Sequence, residues 1–340
     1  MSTPQINFSH GGDIKSFAKE LNCNIEQIID LSSNINFIKP DIDIDFNKLN
    51  ISSYPSYDEL YLKVSELYNI KQNQLELFNG GSSAIFSLFR NFDTNYCYIY
   101  SPAYLEYKKA AIKFDYTIDY VNRFIDLDKD ILPNSLVVFV NPSTPDGTFY
   151  NIDNLMKRWI EKNCTILIDE SFLDFTSFTS AVKYINSYNK LYILKSMTKF
   201  YSSAGIRVGT VISCQENIIK LKEHEPMWKI SQFDQEYIKS AIKDKNFSKI
   251  SRAINVRNKE LLMETLNSCK YISNIFPSSA NYVLAQLKDI KAEQLQELLK
   301  PCKIMIRDCS NFDFLDDTFI RVAVKSEKDI RKLRIALQNI

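Results

Sequence analysis

The sequence has little histidine, no cysteine motif and no long apolar run. Its 340 residues include only two histidines, His10 and His224, and none of the seven cysteines forms a C-x-x-C pair. Zinc centres draw on His and Cys at short spacings, so that class of site is excluded on ligand supply and no metal is expected. The odd cysteine count argues for free thiols in a reducing compartment, with Cys302 and Cys309 read as ordinary buried or half-buried thiols. No apolar stretch approaches the roughly 20 residues of a membrane span, and runs such as 136–140 are strand-sized. The opening residues MSTPQINFSHGGD carry neither a basic segment nor an apolar one, so no secretory signal is visible and a cytoplasmic location is expected. Net charge is +1, from 42 basic and 41 acidic residues that are interspersed along the chain. That balance offers no field to nucleic acid or to an acidic membrane, and neither is expected as a partner.

What the chain does carry is 45% hydrophobic residues, enough at this length for a large core and more than one domain. Strands are expected at 75–78, 96–100, around 116–121, and at 136–140, 165–168, 191–194 and 210–213. Helices are expected at 58–68, 84–90, up to about 114, and at 152–162. Alternation of this kind implies a largely parallel sheet with covering helices, whose ligands bind beyond the carboxyl ends of the strands. From about 215 to 269 the chain turns helical and charged, with one or two breaks. Residues 281–285, 304–306 and 319–324 then read as strands of a smaller α+β lobe. Residues 1–40 read as an irregular arm around one helix, which starts at Ile14 with Asp13 as its cap.

Three polar residues fall just past expected strand ends: Asn141, Asp169 and Lys199. Each is about one βαβ unit from the next, so the three converge on one rim. Lys199 closes Ser196-Met197-Thr198-Lys199, and Arg207 follows between Gly205 and Gly209. A lysine flanked by hydroxyls and followed by an arginine in a glycine-spaced loop suits an aldehyde cofactor that carries a phosphate. Lys199 would be the Schiff-base amine, and Ser196, Thr198 and Arg207 would hold the phosphate. Taken alone, S-x-T-K would read equally well as a basic surface loop. Asn79-Gly80-Gly81-Ser82-Ser83 separates a strand from a helix, an arrangement that aims backbone N–H groups at an anion. Asn34 and Asn36 sit in a polar loop and would face the same way if extended, although turn chemistry accounts for them as well.

Four motifs in this order, Asn141-Pro142…Pro145-x-Gly147, Asp169-Glu170, Ser196-x-Thr198-Lys199 and Gly205-x-Arg207-x-Gly209, resemble those of the fold-type I pyridoxal-phosphate enzymes. The resemblance covers nearly the whole chain. Within that superfamily the chain is similar to the branch holding histidinol-phosphate aminotransferases and threonine-phosphate decarboxylases. His10-Gly11-Gly12 with Ser33-Asn34-Ile35-Asn36, the run from Asp169 to Phe175, and Ile306-Arg307-Asp308-Cys309-Ser310 favour the decarboxylase side. The resemblance implies an α/β protein of the pyridoxal-phosphate-dependent transferase fold. Residues 41–245 would form a large domain with a mostly parallel, seven-stranded type of sheet. Residues 246–340 would form a smaller α+β domain, to which the arm 1–40 belongs.

It also implies roles. Lys199 carries pyridoxal 5′-phosphate and, once freed, shuttles protons. Asp169 pairs with the pyridine nitrogen and keeps the ring an electron sink. Asn141 donates to the ring hydroxyl and Tyr104 stacks on the ring. Gly81, Ser82, Ser196, Thr198 and Arg207 bind the cofactor phosphate, with Tyr54 reaching it from a second subunit, which makes the active unit a homodimer with shared sites. Arg321 takes the substrate carboxylate, while Arg307, His10 and Asn34 help meet a second anionic group. The chain departs from the aminotransferase pattern twice: Phe172 stands where a tyrosine is common, and Thr144 replaces the second asparagine of N-P-x-N-P, read here as a loop variant.

The implied reaction is decarboxylation of a small phosphorylated amino acid, L-threonine O-phosphate or L-serine O-phosphate, to an amino-alcohol phosphate, with cobamide side-chain synthesis as the suggested setting. The alternative is amino transfer with 2-oxoglutarate, as in histidinol-phosphate aminotransferase. A third reading, a binding or scaffold protein that has kept the fold, predicts a colourless protein.

Overall fold

The computed structural model describes residues 11–340. In chain order its strands are β1 (Ile29–Asp30), β2 (Leu75–Phe78), β3 (Tyr96–Ser101), β4 (Thr117–Asn122), β5 (Leu136–Val140), β6 (Thr165–Asp169) and β7 (Leu191–Ser196). They continue with β8 (Gly209–Ile212), β9 (Ile272–Ile275), β10 (Tyr282–Leu287), β11 (Ile304–Met305), β12 (Arg307–Asp308) and β13 (Phe319–Ala323). A seven-stranded sheet runs in the order β2-β8-β7-β6-β5-β3-β4. Only β8 is reversed, pairing antiparallel with both β2 and β7.

Apolar residues on both faces make these strands central. All five residues of β5, LVVFV, are buried, as a parallel sheet covered by helices on both sides requires. One face packs Leu136, Val138, Val140, Leu167 and Leu194 against the helices Gly80–Asn91 and Leu105–Lys113. The other packs Val137, Phe139, Ile166, Ile168 and Ile193 against residues of the helices Asp58–Tyr68, Asp153–Glu161 and Gln232–Lys243. This alternation of faces decides below which polar residues at the strand ends can meet.

A four-stranded antiparallel sheet, β12-β13-β10-β9, carries the second lobe. The expected strand at 304–306 changes sheets partway. Its first residues, β11, pair in parallel with β1, and Arg307–Asp308 joins β13. Ile29 and Leu31 pack in the same core as Leu262, Ile304 and Val322, and Ala323 N–H donates to Leu31 O. The charged helical stretch resolves into Gln215–Glu223, Gln232–Lys243 and Phe247–Asn267, so it has two breaks. Cys309 is buried, but Cys302 is exposed in a short turn, contrary to the half-buried reading. Among the described residues no helix is long and apolar enough to cross a membrane.

Candidate active site

A cavity of about 240 Å³ opens at the carboxyl edge of the large sheet. Its floor is formed by the ends of β6 and β7, one wall by the start of the helix Gly80–Asn91 and by Tyr104, and the opposite wall by residues 32–34, Arg307 and Arg321.

At one end lie the groups expected to hold a phosphate. Gly80 has φ +77°, and a Cβ there would lie 2.6 Å from Arg207 Nη2, so glycine lets the guanidinium lie across the helix start. Gly81 packs beside Ser196, with Ser196 Cβ 3.6 Å from the place a Cβ would take. Ser82 Oγ is 3.3 Å from the Tyr104 hydroxyl. Thr198 Oγ1 is buried and has no hydrogen-bond partner. Helix N–H groups, an arginine fork and an unpaired buried hydroxyl together make an anion cradle.

Asp169 ends β6 and is buried on the cavity floor. Its carboxylate accepts from the Tyr107 hydroxyl at 2.8 Å and from the Ser171 N–H at 2.8 Å. Burial pushes its carboxyl up from the ordinary range, while those two donors and the Lys199 charge pull it back. A buried carboxylate in this setting is a natural partner for a cationic ring nitrogen. Tyr107 was not foreseen. Its signal was the spacing Tyr104-x-x-Tyr107, which puts both rings on one side of a helix.

Asn141, expected to meet a ring hydroxyl, is not among the residues that line the cavity. Its amide is occupied at both ends by the Tyr150 backbone, accepting from the N–H at 2.9 Å and donating to the carbonyl at 3.0 Å. The cause is strand alternation. Val140 is the register partner of Asp169, so Asn141 projects from the opposite face, with Phe139. Thr144, the supposed loop variant, lines the cavity instead, and its hydroxyl accepts from Arg321 Nη1 at 3.2 Å.

Lys199 sits one short turn beyond β7, in the helix Met197–Phe200. Its amine donates to Asn34 Oδ1 at 3.2 Å and lies 5.9 Å from the Phe172 ring centre. Burial first, then the Arg321 charge, bring its pKa down from 10.5 to about 8; Asp169 opposes the shift, and Arg207 and Lys325 add to it. A neutral amine is therefore accessible close to neutral pH, as a nucleophilic lysine requires.

The far wall carries two arginines directly opposite each other in the β12–β13 pair, Arg307 and Arg321. Arg321 also donates to Ser32 O at 3.1 Å and packs 5.2 Å from the Tyr282 ring centre. Arg307 donates to Asn311 Oδ1 at 2.7 Å and lies over Phe312, which also lines the cavity. Gly11 fits between them: a Cβ there would meet Ser32 O at 2.7 Å and Arg307 Cδ at 3.2 Å. His10 lies outside the described residues. Tyr54 is not part of the cavity in this chain; it is 75% exposed and stacks on Trp228, with ring centres 4.1 Å apart.

The donor set fits pyridoxal phosphate on the chain's own terms: a low-pKa lysine, a buried carboxylate on the floor and an anion cradle with a spare hydroxyl. The family model for aminotransferase class I and II matches residues 26–340. A bifunctional adenosylcobalamin biosynthesis protein, CobDQ, from Leptospira interrogans is 28% identical over 97% of this chain, which spans only 41% of that protein. A Caldanaerobacter subterraneus protein with the provisional name threonine-phosphate decarboxylase is 28% identical, covering 98% of this chain and 94% of its own. Histidinol-phosphate aminotransferase 1 from Oceanobacillus iheyensis is also 28% identical, over 93% of each chain. Among solved structures, the histidinol-phosphate aminotransferase of Clostridium acetobutylicum superposes with a TM-score of 0.82 at 31% identity, over 91% of this chain and 98% of that one. The Sinorhizobium meliloti histidinol-phosphate aminotransferase, solved with pyridoxal-5′-phosphate, shares the fold at a TM-score of 0.81 and 12% identity, over 99% and 97%.

Proposed function

The chain belongs to the class I and II aminotransferase family, and within it we propose that it decarboxylates a small O-phospho-amino acid, L-threonine O-phosphate or L-serine O-phosphate, releasing CO2 and an amino-alcohol phosphate. Its cofactor is pyridoxal 5′-phosphate. When bound, that group supplies an electron-poor ring that accepts the electron pair left when a bond to the substrate Cα breaks.

The chain's own residues do the rest. Gly81, Ser82, Ser196, Thr198 and Arg207, which line the cavity, would hold the cofactor phosphate at the anion cradle, and Tyr104, just ahead of its helix, would supply an aromatic face to the ring. Asp169, held by Tyr107 and Ser171, keeps a proton on the ring nitrogen. Lys199 Nζ would hold the cofactor and is the group placed to move protons to and from the substrate. Arg321 and Arg307 bind the substrate's two anionic groups, and Asn34 contributes from the same wall. Phe172 and Thr144, which stand where aminotransferases commonly carry a tyrosine and the second asparagine of N-P-x-N-P, both line the cavity.

The observation that carries this reading is the pair of arginines facing each other across β12 and β13. A phosphorylated amino acid presents a phosphate and a carboxylate at once, and two guanidinium forks on one wall match that demand. The 28% identity to the Leptospira and Caldanaerobacter proteins supports it further. Amino transfer remains the second reading, because histidinol-phosphate aminotransferases are as similar. The loaded protein, given O-phosphothreonine or O-phosphoserine without a keto acid, is expected to release CO2 catalytically. Turnover that requires 2-oxoglutarate and yields no CO2 would overturn the proposal in favour of the second.

The active unit is proposed to be a cytoplasmic homodimer in which Tyr54 completes the partner's phosphate site. Its exposure beside Ile51, Met227 and Trp228, all exposed, supports that arrangement, since apolar patches of this kind are usually covered.

A further inference from the structure

Asn34 meets Lys199 with a fixed geometry that substrate binding does not call for. As an ammonium Lys199 can only donate, and in that form the amide atom 3.2 Å from Nζ is the oxygen. That leaves Nδ2, which makes no hydrogen bond to any described residue, on a side chain that lines the cavity.

The loop that presents this amide is tied down on both sides. From the second lobe, Asn281 Nδ2 donates to Asn34 O at 2.8 Å, Lys325 Nζ to Ile35 O at 2.9 Å, and Arg321 Nη2 to Ser32 O at 3.1 Å. Asn36 is bonded to the lysine's own turn and to the helix Phe247–Asn267. Its N–H donates to Lys199 O at 3.0 Å, and its amide donates to Phe200 O at 2.8 Å and to Ser251 Oγ at 2.7 Å. Acceptor and donor are thus joined through the backbone as well as through their side chains.

We propose that Asn34 is a positioning residue for Lys199: its amide oxygen holds the lysine amine on the second-lobe side of the cavity, as an uncharged acceptor, while its amide nitrogen stays available to an anionic group of the substrate. The choice of an amide matters. An oxygen without net charge orients the amine without strongly favouring its protonated form, whereas a carboxylate in the same place would lock it as an ammonium. The charged groups that face Nζ are Arg321 from β13, Asp169 from β6, Arg207 from the loop after the lysine's turn, and Lys325. Three are cationic and one is anionic, so a second carboxylate would change the balance decisively.

The inference takes from the proposed function only that Lys199 is the cofactor lysine, and it holds for decarboxylation and for amino transfer alike. Its test is read on the full chain stripped of cofactor, so either idea can fail without the other. The probe is acetic anhydride, with labelling of Lys199 followed by mass spectrometry as pH is varied; uptake of pyridoxal phosphate, followed by absorbance, is the second readout. The wild-type labelling profile is expected to have its midpoint near pH 8. Asn34→Asp should raise that midpoint by a unit or more, which is about tenfold slower labelling at pH 7, and should slow cofactor uptake in parallel. Asn34→Ala, which removes an acceptor that favours the ammonium, should move the midpoint the other way. Circular dichroism and thermal melts identify a variant that has failed to fold, and the alanine variant alone still decides the matter. An alanine profile that superimposes on wild type, or that moves in the same direction as the aspartate profile, would overturn the proposal and leave Asn34 as a substrate contact only.

Discussion

Asp169 has its two donors built in, and the Tyr107 hydroxyl is one of them. Tyr107→Phe keeps the ring in the core and removes only that bond, so a buried carboxylate loses a partner and its carboxyl, already raised by burial, rises further. The cofactor-free protein is expected to lose about 1–3 kcal/mol of stability, measured by urea unfolding, and the loaded protein to hold its cofactor less tightly in equilibrium dialysis. An unchanged unfolding midpoint would mean that solvent replaces the hydroxyl. The contrast between Asp169 and Asn141 also marks what the residues alone could reveal. Lys199, Asp169, Ser196 and Arg207 were legible because residue type and spacing both pointed to one rim. Asn141 met the same spacing criterion but stands one residue out of phase with Asp169 across β5 and β6. Thr144 reads in the sequence as a loop variant because a threonine in a proline-rich loop carries no further signal until the loop folds back onto Arg321.

The same alternation organises the elements. On the face of the sheet away from the cavity, Lys195 of β7 and Glu170, just past β6, form an ion pair at 2.6 Å, each side chain only 3% exposed. Glu170 also accepts from Ser180 Oγ and Ala181 N–H, both at 2.6 Å. The pair ties together the ends of the two strands that deliver Asp169 and Ser196 on the other side. Lys195→Met leaves that carboxylate buried without its cation and should cost about 3–5 kcal/mol. The double variant Lys195→Met, Glu170→Leu should be more stable than the lysine variant alone. A double-mutant cycle in chemical denaturation measures this, and equal losses in single and double variants would contradict it. Most strands were readable from their apolar runs, and β2 and β5 match residue for residue. The sheet change at residue 306 and the strand β9 were not readable, because their patterns are short or half-exposed and only tertiary pairing defines them.

For the whole molecule, the proposed domain boundaries meet packing that crosses them. The proposed small domain of 1–40 with 246–340 is supported by the packing of Ile29 and Leu31 with Leu262 and Val322, yet Phe247, Ala280 and Tyr282 pack with the large-lobe core. The lobes are bridged by the ion pair of Lys108 and Asp313, 2.6 Å apart. The proposed dimer makes a distinct prediction. Met227→Asp with Trp228→Ala places a charge in the exposed patch and removes the ring on which Tyr54 stacks. Sedimentation should give a two-chain mass for the native protein and a one-chain mass for this variant, with its far-ultraviolet circular dichroism unchanged. A native protein that sediments as one chain would remove Tyr54 from the site.

The pairing of β1 with β11 brings residue 29 beside residue 304. A ribosome therefore releases one edge of the second lobe long before the strand that completes it. The part of the large sheet from β3 to β7 can assemble on the emerging polypeptide as each βαβ unit clears the exit tunnel, whereas β2 must await β8, and residues 29–31 must wait, solvated, for their partners. The wall that bears the two arginines is thus among the last parts to form, and a chain truncated before residue 304 would keep the lysine and Asn34 but lack Arg307 and Arg321.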